Sequence, residues 1–234
     1  VCAPKDQAVA DVNILDNPIW AALMTGHRSL ARSSGRARRY PSEVSPFAAL
    51  EAPSVRAFSD LAALVNPEES VGMCTADPIS APPGWQVLKR RPLEQMVCLA
   101  SEHSHVSSPL ELGPADLPEM LVLTAATEPG PFLAATMQMG RYFGIRADDG
   151  RLAAMAGERL KAEPFTEISA VCTDPDFRGR GHAKALVSFL VGLIFSEGRI
   201  PFLHVKGENQ AKVLYERLGF RVRREMQLTV IARQ

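Results

Sequence analysis

The run Arg178-Gly179-Arg180-Gly181-His182-Ala183 is the segment best equipped for chemistry. It follows a predicted strand and opens a predicted helix, where the first N–H groups have no partner within the helix and converge on whatever lies before them. Gly179 and Gly181 let the backbone approach an anion closely, Arg178 and Arg180 add positive charge, and Ala183 keeps the first helical turn unobstructed. Such a nest suits a pyrophosphate. It is neither a P-loop, since G-x-x-x-x-G-K-[ST] is absent, nor a dinucleotide fingerprint, since G-x-G-x-x-G is not completed. Taken alone, the run also reads as a basic surface turn. Histidines offer less: His103 and His105 would point to one face of a strand and His204 lies on another, but no third ligand accompanies them and no metal is assigned.

The elements that must position this turn form a legible series. A strand from Glu167 to Thr173 leads into a turn through Asp174 to Arg180, and then into a helix whose apolar residues Leu186, Leu190, Leu193 and Ile194 share one face. Gly198 caps that helix, Ile200 to Val205 reads as a strand, Asn209 to Leu218 as a short helix stopped by Gly219, and Phe220 to Ala232 as two final strands. Upstream, helices are expected over Ala115 to Thr127 and Pro131 to Met139. A hairpin of Arg141 to Arg146 and Arg151 to Leu160 follows, turning at Asp148, Asp149 and Gly150.

The first half is more irregular, holding 13 of the 18 prolines at or before Pro118. A helix is expected from Pro18 to about Ala31, an exposed basic loop from Arg32 to Arg39, a strand at Pro46 to Leu50 and a helix from Val55 to Val65. Strands are expected at Val71 to Thr75 and Trp85 to Arg90. The Pro- and Ser-containing stretch from Glu102 to Pro118 is the best link, which divides the chain near Ser108 into residues 1–107 and 108–234. The mixed order of elements argues for an α/β sandwich.

Composition removes several classes. Twenty-six basic and 26 acidic residues leave no net charge to draw the chain to nucleic acid or an anionic membrane. Arg32 to Arg39 and the cluster Arg217, Arg221, Arg223 and Arg224 lack the interleaved aromatics of a nucleic-acid face. The charge-free helical stretch Ala185 to Ser196 has twelve residues, short of the ~20 that cross a bilayer. Cys2, Cys74, Cys98 and Cys172 form no C-x-x-C pair, and no basic-then-apolar leader follows Val1, so a reducing cytoplasm is the expected setting.

The order of strand, R-x-x-G-x-A turn, long helix, strand, and then Asn209 and Tyr215 on a short helix ending Leu218-Gly219-Phe220 resembles the GNAT superfamily of acyl-CoA-dependent N-acyltransferases. The likeness covers about residues 102 to 234, is closest from Glu167 to Phe220, and includes the arrangement of bacterial GNAT proteins related to glycine N-acyltransferases. It implies a mixed, mostly antiparallel, splayed sheet flanked by helices. The first half would be an α/β subdomain, for which a degenerate GNAT-like lobe is one reading. It further implies that Val171, Cys172 and Thr173 offer backbone groups to the pantetheine arm of acetyl-CoA or another acyl-CoA, and that Arg178 to Ala183 cradles its pyrophosphate. A diverging strand would leave N–H and C=O groups free for those contacts, and one N–H could polarise the thioester carbonyl.

Acyl transfer to an amine needs a neutral nucleophile, a stabilised oxyanion and a proton for the departing thiolate. By the resemblance, Tyr215 takes the position of the family's general acid, and Asn209, six residues before it, that of a cofactor contact. Glu167, eleven residues before Arg178, takes the position of a general base in some members, with Glu158 as an alternative. Each has a plainer role open to it: a core aromatic for Tyr215, a solvated strand-end carboxylate for Glu167. The expected activity is transfer of an acyl group, in the first place acetyl, to an amine of a small molecule or peptide by direct attack. The competing reading is an acyl-CoA sensor without catalysis.

Overall fold

The computed structural model describes residues 11–99, 109–209 and 211–234. Cys2, the His103/His105 pair and the division expected near Ser108 lie outside them. The first half contributes α1 (Pro18–Met24), a small antiparallel sheet of β1 (Arg32–Ser34), β2 (Ala37–Arg39) and β3 (Ala48–Leu50), α2 (Val55–Ala62), β4 (Ser70–Thr75) and β5 (Trp85–Cys98). The second half contributes β6 (Leu110–Leu112), α3 (Leu117–Thr127), β7 (Tyr142–Arg146), β8 (Leu152–Ala162), β9 (Phe165–Thr173), α4 (His182–Ser196), β10 (Ile200–Val205), α5 (Ala211–Arg217) and β11 (Phe220–Arg233).

Eight of these strands form one open sheet in the order β4-β11-β5-β10-β9-β8-β7-β6, antiparallel throughout except for the β9–β10 pair. Strands of the two halves interleave, with β5 hydrogen-bonded between β10 and β11. Helices α4 and α5 pack on one face, where Leu186, Val187, Leu190, Val191 and Ile194 are fully buried against β8, β9 and β10 residues. Each such aliphatic side chain contributes on the order of 1.5–3 kcal/mol relative to leaving it in water. The other face is covered by α1, through Ile19, Ala22 and Leu23, and by α3, through Met120 and Leu123.

Several local expectations are corrected. The first helix stops at Met24 rather than near Ala31, because Gly26 turns onto β8: its N–H donates to the Lys161 carbonyl at 3.2 Å, and a side chain there would meet the Lys161 Cβ at 2.6 Å. Arg32 to Arg39 is a hairpin rather than a loop; Arg32 and Arg36 face water as expected, but Arg39 is buried, bound to Glu69 at 2.7 Å and to the Leu64 carbonyl at 2.8 Å. Pro131 to Met139 holds only a 3-10 turn at Thr136–Met139. There the Thr136 hydroxyl accepts from the Leu133 N–H at 2.7 Å and donates to the Val44 carbonyl at 2.8 Å, competing with a helical ladder. The strand expected at Trp85 to Arg90 runs on to Cys98, with Pro92 placed just before the residues that pair with β10. The two final strands are one, β11, which follows β5 along its length and absorbs its curvature in irregularities at Arg223 and between Val230 and Ile231.

Candidate active site

The site begins where two strands part. Parallel pairing of β9 with β10 is confined to Phe165–Glu167 against Ile200–Phe202, so Ile168 to Thr173 and Leu203 to Val205 run on without pairing to each other. A bulge at the same place sets Ala170 and Val171 of β9 opposite the single Ala156 of β8. Ala170 carries φ of +51°, a left-handed conformation costly for a residue with a Cβ. Ala170→Gly is therefore expected to raise the unfolding free energy by about 0.5 kcal/mol, whereas the same change in a regular strand costs about 0.5–1 kcal/mol. Urea denaturation decides the sign.

The turn after β9 forms as its glycines dictate. Gly179 and Gly181 adopt φ of +77° and +81°, and nothing lies within 4 Å of where a Cβ would stand on either. Gly181 is the N-cap of α4 and no side chain caps that helix, so its leading N–H groups face open space. Arg178 is tethered by its Nε to the Thr173 carbonyl at 3.5 Å, and Arg180 stacks on Phe177 at 5.1 Å.

Two cavities meet over the gap between β9 and β10. One, of about 540 Å³, is lined by Val171, Cys172, Thr173, Phe177, Arg178, Gly179, Gly181, His182, Ala183, Asn209 and Tyr215, among others. Ten of the twelve residues singled out from sequence are thus brought to one wall; Arg180 and Glu167 are not. The other cavity, of about 500 Å³, lies between the sheet and the first half of the chain. Its lining includes Phe47, Cys74, Lys89, Arg91, Arg159, His204 and Lys206, and it shares Thr127, Val171, Asn209 and Tyr215 with the first. Asn209 accepts from the Ala211 N–H at 2.9 Å, which fixes the start of α5. Lys212 on that helix is anchored to Glu94 of β5 at 2.7 Å. Tyr215, 7% exposed, packs edge-on against Phe220 with ring centroids 6.1 Å apart, and burial pushes its hydroxyl up to about 12.

Glu167 is placed differently from expectation. It lies inside β9 rather than at its start, is fully buried and lines neither cavity. A bulge sets Arg159 and Leu160 opposite it, and the Arg159 guanidinium takes both carboxylate oxygens at 2.8 and 2.7 Å, while His204 Nδ1 bonds it at 2.8 Å. Burial alone would raise this carboxyl; Arg159 and His204 outweigh it and hold it at about 2. At the other nitrogen of His204 two influences oppose. Burial lowers the ring's basicity, while Cys74, whose sulfur is 3.7 Å from Nε2, and Glu167 pull it upward on balance. Against that pull stands the Gln95 amide. Its oxygen is taken by Arg223, so its nitrogen shares its hydrogens between the Leu15 carbonyl and His204 Nε2 at 3.1 Å. The neutral ring, donating from Nδ1 to Glu167 and accepting at Nε2 from the Gln95 amide, satisfies both of these partners. Glu158, the alternative carboxylate, is also buried and held by Arg141 at 2.6 Å and Lys161 at 3.0 Å.

Glu167→Gln is expected to lower unfolding free energy by about 2 kcal/mol at neutral pH, because it leaves the Arg159 charge facing a neutral amide. A depressed carboxyl stabilises fully above its unfolded value near 4.5 and loses that contribution as pH falls toward 2. The difference between wild type and variant in urea melts should close over that window. A difference that persists unchanged to its lower end would mean that the carboxylate charge is not what matters.

The family model described as FR47-like protein matches residues 142–229. A GNAT-family protein from Novosphingobium aromaticivorans is 37% identical in sequence, with a TM-score of 0.87 over 94% of this chain and 99% of that one. The chain belongs to the GNAT family. A GCN5-related N-acetyltransferase from Kribbella flavida shares the fold at 18% identity, with a TM-score of 0.60 over 92% of this chain and 95% of that one. A conserved protein of unknown function from Staphylococcus epidermidis shares it at 12% identity, with a TM-score of 0.54 over 87% and 93%. No curated protein matches. Among the described residues no helix is long and apolar enough to cross a membrane.

Sequence reasoning missed the second cavity of this GNAT protein almost entirely. Apart from the β9, β10 and α5 residues beside the nest, its lining comes mainly from the first half, from β8 and from the end of α3, where no motif marks it. One signal was available: Lys89, Arg91 and Leu93 alternate along a strand and so share a face, but the expected strand stopped at Arg90.

Proposed function

We propose that this GNAT protein is an acyl-CoA-dependent N-acyltransferase that moves an acyl group, acetyl in the first instance, to an amine of a small molecule or peptide by direct attack. The observation that carries the reading is the meeting of the two cavities at Val171, Asn209 and Tyr215, over the opening between β9 and β10. In this reading the α4 nest holds the pyrophosphate of acyl-CoA. The pantetheine arm follows the unpaired part of β9 past Cys172 and Thr173, and a backbone N–H at the Val171 bulge polarises the thioester carbonyl. The amine enters from the cavity walled by Phe47, Cys74 and His204, so the first half shapes the acceptor side. The uncharged amine attacks the carbonyl carbon, the C–N bond forms as the C–S bond breaks, and Tyr215 supplies the proton to the leaving sulfur. The proton shed by the acylated nitrogen passes to water in the open cavity, from which Tyr215 is reprotonated. Glu167 takes part as a positioning residue, holding Arg159 and His204 in the cavity wall.

The test is an acceptor screen by thiol release with acetyl-CoA and longer acyl-CoAs, preceded by calorimetric measurement of acyl-CoA binding. Amine-dependent release of CoA is the expected result. Tight binding with no release across the panel would favour a sensor, and no binding would remove both readings.

A further inference from the structure

We infer that the acceptor carries an anionic group, a carboxylate or phosphate, beside the amine that is acylated, and that Lys89, Arg91 and Lys206 recognise it. This rests on the acyltransferase reading of the same cavity. Lys89 and Arg91 lie two residues apart on β5, so strand periodicity turns them to one face, and Lys206 directly follows the end of β10. That face is the cavity wall, which all three line. None has a carboxylate partner among the described residues, although carboxylates pair with cations throughout the rest of the molecule. Glu94, the carboxylate nearest in sequence to Arg91, is bound to Lys212 instead.

The remaining charges sharpen the assignment. Arg159 also lines the cavity, but Glu167 takes its charge through two hydrogen bonds. The single lining carboxylate is Glu128, exposed at the end of α3. Three unpaired cations against one exposed carboxylate repel a polycation and attract an anion. The attacking amine must be uncharged, so charge recognition has to act on another part of the acceptor. The phosphates of acyl-CoA do not account for these residues, because none of the three lines the cavity that contains the α4 nest.

The experiment compares matched pairs as probes: alanine, phenylalanine and aspartate against their α-carboxamides, and glucosamine 6-phosphate against glucosamine. Acetyl-CoA binding is established first. The probes are then titrated into CoA-saturated protein by calorimetry and assayed for turnover with acetyl-CoA. The anionic member of at least one pair should bind and react about tenfold better than its neutral counterpart, with the preference shrinking as salt is raised. The pair that responds separates carboxylate from phosphate. Lys89→Gln, Arg91→Gln and Lys206→Gln should each raise the acceptor KM several-fold, with little change in kcat or in the KM for acetyl-CoA. Neutral amines preferred or equal to acids in both assays, or no anionic probe bound at all, would overturn the inference. So would variants that shift only the acetyl-CoA KM. Anion-selective binding without any turnover would overturn the acyltransferase reading and the acceptor assignment with it, leaving the three cations as an anion site only.

Discussion

Gly181→Glu is expected to weaken acetyl-CoA binding by more than about a hundredfold while leaving the fold intact. Two effects add. Gly181 sits at φ of +81°, where a residue with a Cβ costs about 1–2 kcal/mol, so the turn is pushed away from the shape that presents its N–H groups. The new carboxylate then occupies the positive end of α4, where an anionic ligand would bind, and repulsion there is worth up to about 2 kcal/mol. With the repulsion at its full value the two come to about 3–4 kcal/mol, above the 2.7 kcal/mol that corresponds to a hundredfold change. Nothing lies within 4 Å of the position of the added Cβ, so no core contact is lost and the thermal midpoint should move by only a few degrees. Gly181→Ala separates the two effects: it retains the backbone cost without the charge and should weaken binding about tenfold. Calorimetry on the three proteins provides the check, and equal affinity in wild type and Gly181→Glu would remove the anion site from this turn.

Tyr215→Phe is expected to lower kcat about 10- to 1000-fold with little change in acetyl-CoA affinity. The substitution keeps the ring against Phe220 and removes only the hydroxyl, so packing is nearly preserved. Burial holds that hydroxyl protonated up to about 12, which has a consequence for the pH profile. The acid is loaded throughout the range in which the protein can be assayed, so no alkaline fall in kcat should trace to Tyr215 below that value. Any rise in rate toward alkaline pH then reports deprotonation of the acceptor amine. Under conditions where chemistry limits turnover, an unchanged kcat in the phenylalanine variant would reduce Tyr215 to a packing residue.

What could be read in advance differed between the two sides of the site, and the reasons are physical. The wall bearing the nest is local in sequence. Gly179 and Gly181 are punctuation that few other roles require, the helix behind them has a continuous buried face, and β10 is a short apolar run between Gly198 and Lys206. Each of these is specified by neighbours within a dozen residues, so periodicity and turn chemistry were enough. The Pro131 to Met139 segment shows the limit: its composition allowed a helix, but the Thr136 hydroxyl found partners at Leu133 and Val44, the latter 92 residues away in sequence.

By itself, then, the sequence determined the glycine turn before α4, the order of strands and helices from β9 to α5, and the superfamily resemblance those elements carry. These depend on backbone conformations and repeats that single residues impose. The tertiary structure alone decided the rest. It inserted β5 between β10 and β11, curved β11 into one long strand, and brought Cys74 of β4 within 3.7 Å of His204 of β10. It also made Glu167, expected at a strand start as a general base or a solvated carboxylate, a buried partner of Arg159. A carboxylate's role depends on which cation and how much water surround it, and both are set by strands that meet only when the sheet closes over them.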